Sequence, residues 1–176
     1  EKIIAEKNPK LSGSERKEIA KIIGIGAVKY ADLSQYRMTD YIFSWDKLLA
    51  LHGNTAPYLQ NAYVRIRSIF RKAGPSRTGV SKIDEVKLAE PTELALAKRL
   101  CQFAEVVPQV LNDFRTNILA NYLFELANSF HAFYEACPVL KAEEPARSSR
   151  LALCNLTGQV LQRGLKLLGI EVPERM

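Results

Sequence analysis

Apolar residues recur at spacings of three and four along almost the whole chain, the period of one face of an α-helix. The strict alternation of a half-buried strand is nearly absent. Leu11, followed by Ser14 and a run of charged residues, opens a first helix. Its stripe is Ile19, Ile22, Ile23, Ala27 and Tyr30, with Gly24 and Gly26 set inside it. Residues 39–45 are aromatic and alternate weakly, as an extended segment does, and Trp45 to Leu51 reads as a short helix stopped by Gly53. Asn54-Thr55-Ala56-Pro57 is a strong helix start, because Asn54 or Thr55 can accept from free backbone N–H groups and proline fits only the first turn. That helix runs from Tyr58 to about Ala73, turns Leu59, Ala62, Ile66 and Ile69 or Phe70 inward, and ends at Gly74-Pro75.

Residues 74–90 are polar, basic and without period, which predicts a basic loop. Pro91-Thr92-Glu93 opens a helix through Phe103, and the apolar residues around Pro108 predict a short turn. Thr116 is expected to cap a long helix that reaches about Cys137 and is halted by Pro138. A charged loop with Pro145 precedes the last helix, from roughly Arg147 to Leu168, stopped by Gly169. Leu153, Leu156, Val160, Leu161, Leu165 and Leu168 are its expected inner face. Gly158 and Gly164 inside it cost about 1 kcal/mol each relative to alanine, and such residues are kept most readily where another backbone packs close. The pattern as a whole is that of an all-α fold, a helical bundle.

With 176 residues, 47% of them hydrophobic, the chain can bury a sizeable core, which excludes a disordered tail and a disulfide scaffold. The three cysteines, Cys101, Cys137 and Cys154, are far apart and read as reduced thiols of a cytoplasmic protein. No apolar run reaches the roughly 18 residues of a membrane helix. The chain begins with Glu1, which predicts a piece of a longer protein. The net charge of +6 is uneven: residues 1–88 hold +7 and residues 89–176 hold −1. No acidic residue lies between Asp46 and Asp84, a window that contains Lys47, Arg65, Arg67, Arg71, Lys72, Arg77 and Lys82. A single-sign stretch of this length makes a local positive field that attracts phosphate.

Catalytic chemistry finds little support. His52 and His131 stand far apart, with no cysteine or carboxylate at ligand spacing, so no metal site is expected. Gly24-Ile25-Gly26 lacks both a preceding strand and a third glycine, so it is no phosphate loop. Nucleic-acid binding fits better. Tyr58, Asn61 and Arg65 lie on one face of one helix, two turns end to end. An aromatic ring that stacks, an amide that pairs with a base edge and a guanidinium that grips phosphate suit a single-stranded RNA loop. The competing reading is that Tyr58 caps the core and Arg65 is solvated. The aromatic stripe Tyr122, Phe124, Phe130, Phe133 and Tyr134 is expected to be mostly core, with Tyr122 and Tyr134 at its edge.

Gly26-Ala27-Val28-Lys29-Tyr30, Asp40-Tyr41-x-Phe43-x-Trp45-Asp46 and Gly53-Asn54-Thr55-Ala56-Pro57-Tyr58-Leu59-Gln60 follow one another in a set order. Asn121-Tyr122-Leu123-x-Glu125-Leu126-Ala127, Phe133-Tyr134-Glu135-x-Cys137-Pro138-Val139 and the closing Pro173-Glu174-x-Met176 continue it. This series, over roughly residues 15–176, resembles the arginyl-tRNA synthetase family of class I at the join between its catalytic and anticodon-binding domains. The resemblance implies that residues 1–54 are the helical tail of the catalytic domain and residues 55–176 the anticodon-binding bundle. It implies that the full-length enzyme joins arginine to its tRNA with ATP, that the His-Ile-Gly-His and Lys-Met-Ser-Lys-Ser type signatures lie upstream, and that this piece binds no cofactor and is itself inactive. The partners it implies are tRNA-Arg, through its anticodon loop, and the upstream catalytic domain. By motif position it marks Tyr58 and Arg65 as the leading anticodon contacts, with Tyr134 and Met176 as further candidates because the C-terminus packs near the same loop in relatives. Asn61 stands where the family commonly has Tyr, which replaces a stacking role there by hydrogen bonding. A helical protein-interaction module without nucleic-acid binding is the alternative, and an exposed apolar patch in place of a basic one is its mark.

Overall fold

A computed structural model of the chain describes residues 4, 5, 9, 11–74 and 86–176. The described residues are helical without a strand: α1 (Gly13–Leu33), the single turn α2 (Trp45–Leu48), α3 (Ala56–Ala73), α4 (Pro91–Cys101), α5 (Phe103–Asp113), α6 (Thr116–Ala136) and α7 (Ala146–Leu167). Most of the expected basic loop, residues 75–85, lies outside the described residues. None of these helices is long and apolar enough to cross a membrane.

Helix α6 is the centre of the bundle, packed against α1, α3, α4, α5 and α7. Its Leu123, Leu126, Phe130 and Phe133 are fully buried, which is the expected fate of the aromatic stripe. Tyr122 is buried as well, with its hydroxyl donating to the Arg99 carbonyl (2.9 Å), so it is no edge residue. Helix α3 brings Leu59, Ala62, Ile66, Ile69 and Phe70 to the same core. Thr55 is the residue that caps α3: it accepts from the Tyr58 N–H and donates to the Ala50 carbonyl. Asn54 instead bridges helices, between the Tyr30 hydroxyl of α1 (2.6 Å) and Asn121 of α6 (3.2 Å). Across the bundle the Arg150 guanidinium of α7 meets Glu93 of α4 (2.6 Å) in a nearly dry ion pair. Burial alone raises the Glu93 carboxyl, but the backbone N–H groups of Glu90 and Ala89 and the Arg150 guanidinium outweigh it and hold it below the usual range.

Several local expectations change. The cap of α1 is Ser12, which accepts from the Glu15 N–H while Glu15 reaches back to the Ser12 N–H, a capping box that the reading from Ser14 overlooks. Residues 40–44 are non-helical and pair in no sheet, with Ser44 in extended backbone. The segment around Pro108 is not a turn but lies inside α5, because Phe103, Val106 and Val110 pack on the core at helical spacing and outweigh the backbone bond that proline forfeits. Thr116 does not cap α6; its hydroxyl donates to the Leu33 carbonyl and ties α6 to the end of α1 (3.0 Å). Leu156 is exposed, because it stands about 100° around the helix from Thr157, on which the buried face of α7 is centred.

The α7 glycines face side chains, not backbone. A Cβ on Gly158 meets Ile66 at 3.2 Å, and one on Gly164 meets Leu123 at 2.5 Å. Leu123 is fully buried and cannot yield. In α1, Gly26 admits the Gln60 side chain, whose Nε2 stands 2.9 Å from where a Cβ would be, whereas Gly24 has nothing within 4 Å among the described residues. Urea unfolding is therefore expected to show Gly164→Ala destabilised by about 1–3 kcal/mol through overpacking. Gly24→Ala is expected to be more stable than the native chain by about 0.5–1 kcal/mol, the helix-interior difference between the two residues.

Candidate nucleic-acid interface

The outer face of α3 carries Asn61, Arg65, Ser68 and Lys72 at helical spacing. It opposes the end of α6 and the turn after it, where Tyr134, Leu140 and Lys141 lie, and residues 175–176 close one end. The groove between them holds about 800 Å³. Its cationic lining is Arg65, Arg71, Lys72, Lys141 and Arg175, and among the described residues no Asp or Glu lines it. An anionic chain meets here a one-signed wall with apolar patches from Val64, Ile69 and Leu140, which suits a phosphate backbone with unstacked bases.

Four of the five residues singled out from the sequence, Asn61, Arg65, Tyr134 and Met176, line this groove. Arg65 lies over the exposed Tyr134 ring, 5.5 Å from its centroid, in a cation–π contact, and the Phe130 ring packs 5.9 Å from the same ring. Asn61 and Met176 form a wall shared with a second, mostly apolar cavity of about 310 Å³ between α1 and residues 45–51. Met176 is no frayed end: it packs on a small cluster of Ile4, Ile19 and Ile23.

Tyr58 is not among the groove residues. Its ring is half-buried against His131 (5.1 Å) and Phe124 (5.8 Å), and its hydroxyl donates to Asn128 (2.7 Å). Burial raises its phenol above the ordinary value, with Arg65 opposing. Tyr63 is buried, and its hydroxyl donates to Glu174 (3.2 Å), so it offers no stacking face in place of position 61.

Two features escaped the sequence. One is the tail that follows α7. Glu174 accepts from Tyr63 and from Arg67 Nε (2.9 Å), and Arg71 Nη1 donates to the Glu174 carbonyl (2.9 Å). The acid-free window is thus divided between holding this tail and facing the groove. The other is His131, which joins Tyr58 to Arg65. Arginine has no acceptor, so at 3.4 Å Arg65 Nη1 donates to His131 Nδ1 and the ring proton sits on Nε2. Three residues before Tyr134 on α6, His131 shares its face, and that spacing was the available signal.

Burial, and then the Arg65 charge, hold the His131 imidazole below its ordinary 6.5, with Glu135 pulling the other way. A histidine kept neutral in the fold contributes stability that is present above its unfolded value and lost as pH falls toward the folded one. Chemical unfolding at pH 7.5 and 5.5 is expected to show the native chain losing stability on acidification, and His131→Asn losing less over the same interval.

A family profile described as the DALR anticodon binding domain matches residues 59–176, and one described as the class I (R) tRNA synthetase catalytic domain matches residues 1–45. The arginine–tRNA ligase of Erwinia tasmaniensis is 51% identical over 176 residues, spanning 99% of this chain and 30% of that protein. That of Pseudoalteromonas translucida is 53% identical over 175 residues, spanning 98% of this chain and 30% of its own length. The solved arginyl-tRNA synthetase of Thermus thermophilus superposes with a TM-score of 0.88 at 35% identity, covering 99% of this chain and 30% of that one. The chain therefore spans about 30% of the length of the relatives it matches.

Proposed function

The chain belongs to the DALR anticodon binding domain family, and we propose that it is the anticodon-reading end of an arginine–tRNA ligase. In this reading residues 55–176 bind the anticodon loop of tRNA-Arg, and residues 1–54 are the helical tail of the catalytic domain. The ATP-dependent joining of arginine to tRNA belongs to the remainder of the relatives' length, in the cytoplasm, and this chain alone neither activates arginine nor charges tRNA. The observation that carries the reading is the groove, whose cationic lining gathers Asn61, Arg65, Tyr134 and Met176.

Each residue has a task in it. Arg65 grips phosphate while its guanidinium rests on Tyr134. Tyr134 offers the solvent-exposed part of its ring to a base. Asn61 pairs with a base edge, and Met176 lies against the same base as a polarizable apolar wall. Tyr58 lies outside the groove and acts through its packing against His131. The exposed Met38, Ile42, Phe43 and Trp45 form the apolar surface expected of an interaction module. They fall at the end of the stretch that matches the catalytic domain, and we assign them to contact with the rest of that domain.

Gel-shift titration of the chain with tRNA-Arg and with an anticodon-swapped tRNA tests the reading. Tighter, salt-sensitive binding of tRNA-Arg is expected. Tyr134→Ala is expected to weaken it by about 1–3 kcal/mol, the worth of one base stack. Arg65→Ala is expected to weaken it and lower the salt slope by about one. Equal affinity for the two tRNAs contradicts anticodon reading, and no binding to either favours the protein-interaction alternative.

A further inference from the structure

His131 touches Tyr58, which lies outside the groove, and Arg65, which lines it, without itself lining the groove. Its ring packs against Tyr58 (5.1 Å) and against Phe130 (5.6 Å), and Phe130 is fully buried. Its Nε2 is buried and has no hydrogen-bond partner among the described residues, so packing sets the ring's orientation. Its Nδ1 takes one N–H of Arg65.

An arginine on a helix surface has four flexible torsions, and a guanidinium that wanders binds phosphate only after losing that freedom. Arg65 is held at two points, the His131 lone pair and the Tyr134 ring, both presented by α6. One of its five N–H donors is spent on His131, which leaves the others for a ligand. We propose that His131 is a positioning residue for RNA binding: it accepts from Arg65 and holds that guanidinium pre-aimed into the groove. The proposal rests on the anticodon-groove reading and adds to it a residue that touches no RNA.

The test is a double-mutant cycle on the 176-residue chain, with a tRNA-Arg transcript as the probe. His131→Phe keeps an aromatic ring against Tyr58 and Phe130 but has no acceptor. His131→Asn keeps an oxygen near the position of Nδ1. Each is made with Arg65 intact and with Arg65→Ala, and circular dichroism melts identify the folded variants. His131→Phe is expected to weaken binding by about two- to tenfold, the worth of one hydrogen bond, and to flatten the salt dependence. His131→Asn is expected to restore most of the affinity. In the Arg65→Ala background His131→Phe is expected to cause no further loss, because the two act as a unit. An equal loss in both backgrounds, or equal losses from Phe and Asn, overturns the positioning role while leaving the groove reading intact. Native affinity in Arg65→Ala itself removes the groove reading and this proposal with it.

Discussion

An extended tail keeps one path across a helical bundle where donors on the bundle take its backbone carbonyls, and a carbonyl covered there without a donor costs about as much as a lost hydrogen bond. In this chain the donors are side chains. Lys29 Nζ of α1 donates to the Gly169 carbonyl (2.6 Å), Gln60 Nε2 of α3 to the Glu171 carbonyl (2.8 Å), and Arg71 of α3 to the Glu174 carbonyl (2.9 Å). Ile170 and Pro173 are buried between these points. Gln60 itself is fully buried, and Gly26 is the residue whose missing Cβ leaves room for it. The tail thereby joins α1 to α3 and delivers Met176 to the wall between the groove and the neighbouring apolar cavity.

The same contacts decide what the positive charge of the first half is for. A basic window with no internal partner acts wholly on the outside world. Here Arg67 is neutralised by Glu174, while Arg71 serves a carbonyl and keeps its charge at the groove. Arg65 is laid across α6 by His131 and Tyr134. Among the described residues the groove therefore keeps a one-signed lining even though part of the α3 charge is internally spent.

Much of the fold was legible because its signals are local. The cap at Thr55, the inward stripe of α3, the breaks at Gly74 and Gly169 and the buried aromatics of α6 all follow from residue type and a period of 3.6. The misreadings arise where tertiary packing outweighs local chemistry: Pro108 stays in a helix because three apolar neighbours dock, and Thr116 spends its hydroxyl on Leu33 instead of a cap. At the site, the α3 residues were readable as one helix face. The tail was not, because its polar contacts join residues more than a hundred positions apart that no local pattern links. His131 looked ordinary for the same reason: its partners Tyr58 and Arg65 lie on another helix.

The central claim is that the floor of an RNA site is built by α3 and the end of α6, with the tail as its wall. Photocrosslinking with tRNA-Arg carrying 4-thiouridine in the anticodon loop, followed by peptide mapping, tests it most directly. The account predicts crosslinks confined to residues 61–72, 134–141 and 172–176. Crosslinks concentrated on α5 or on the exposed segment 38–45, with none at Tyr134 or Met176, contradict it.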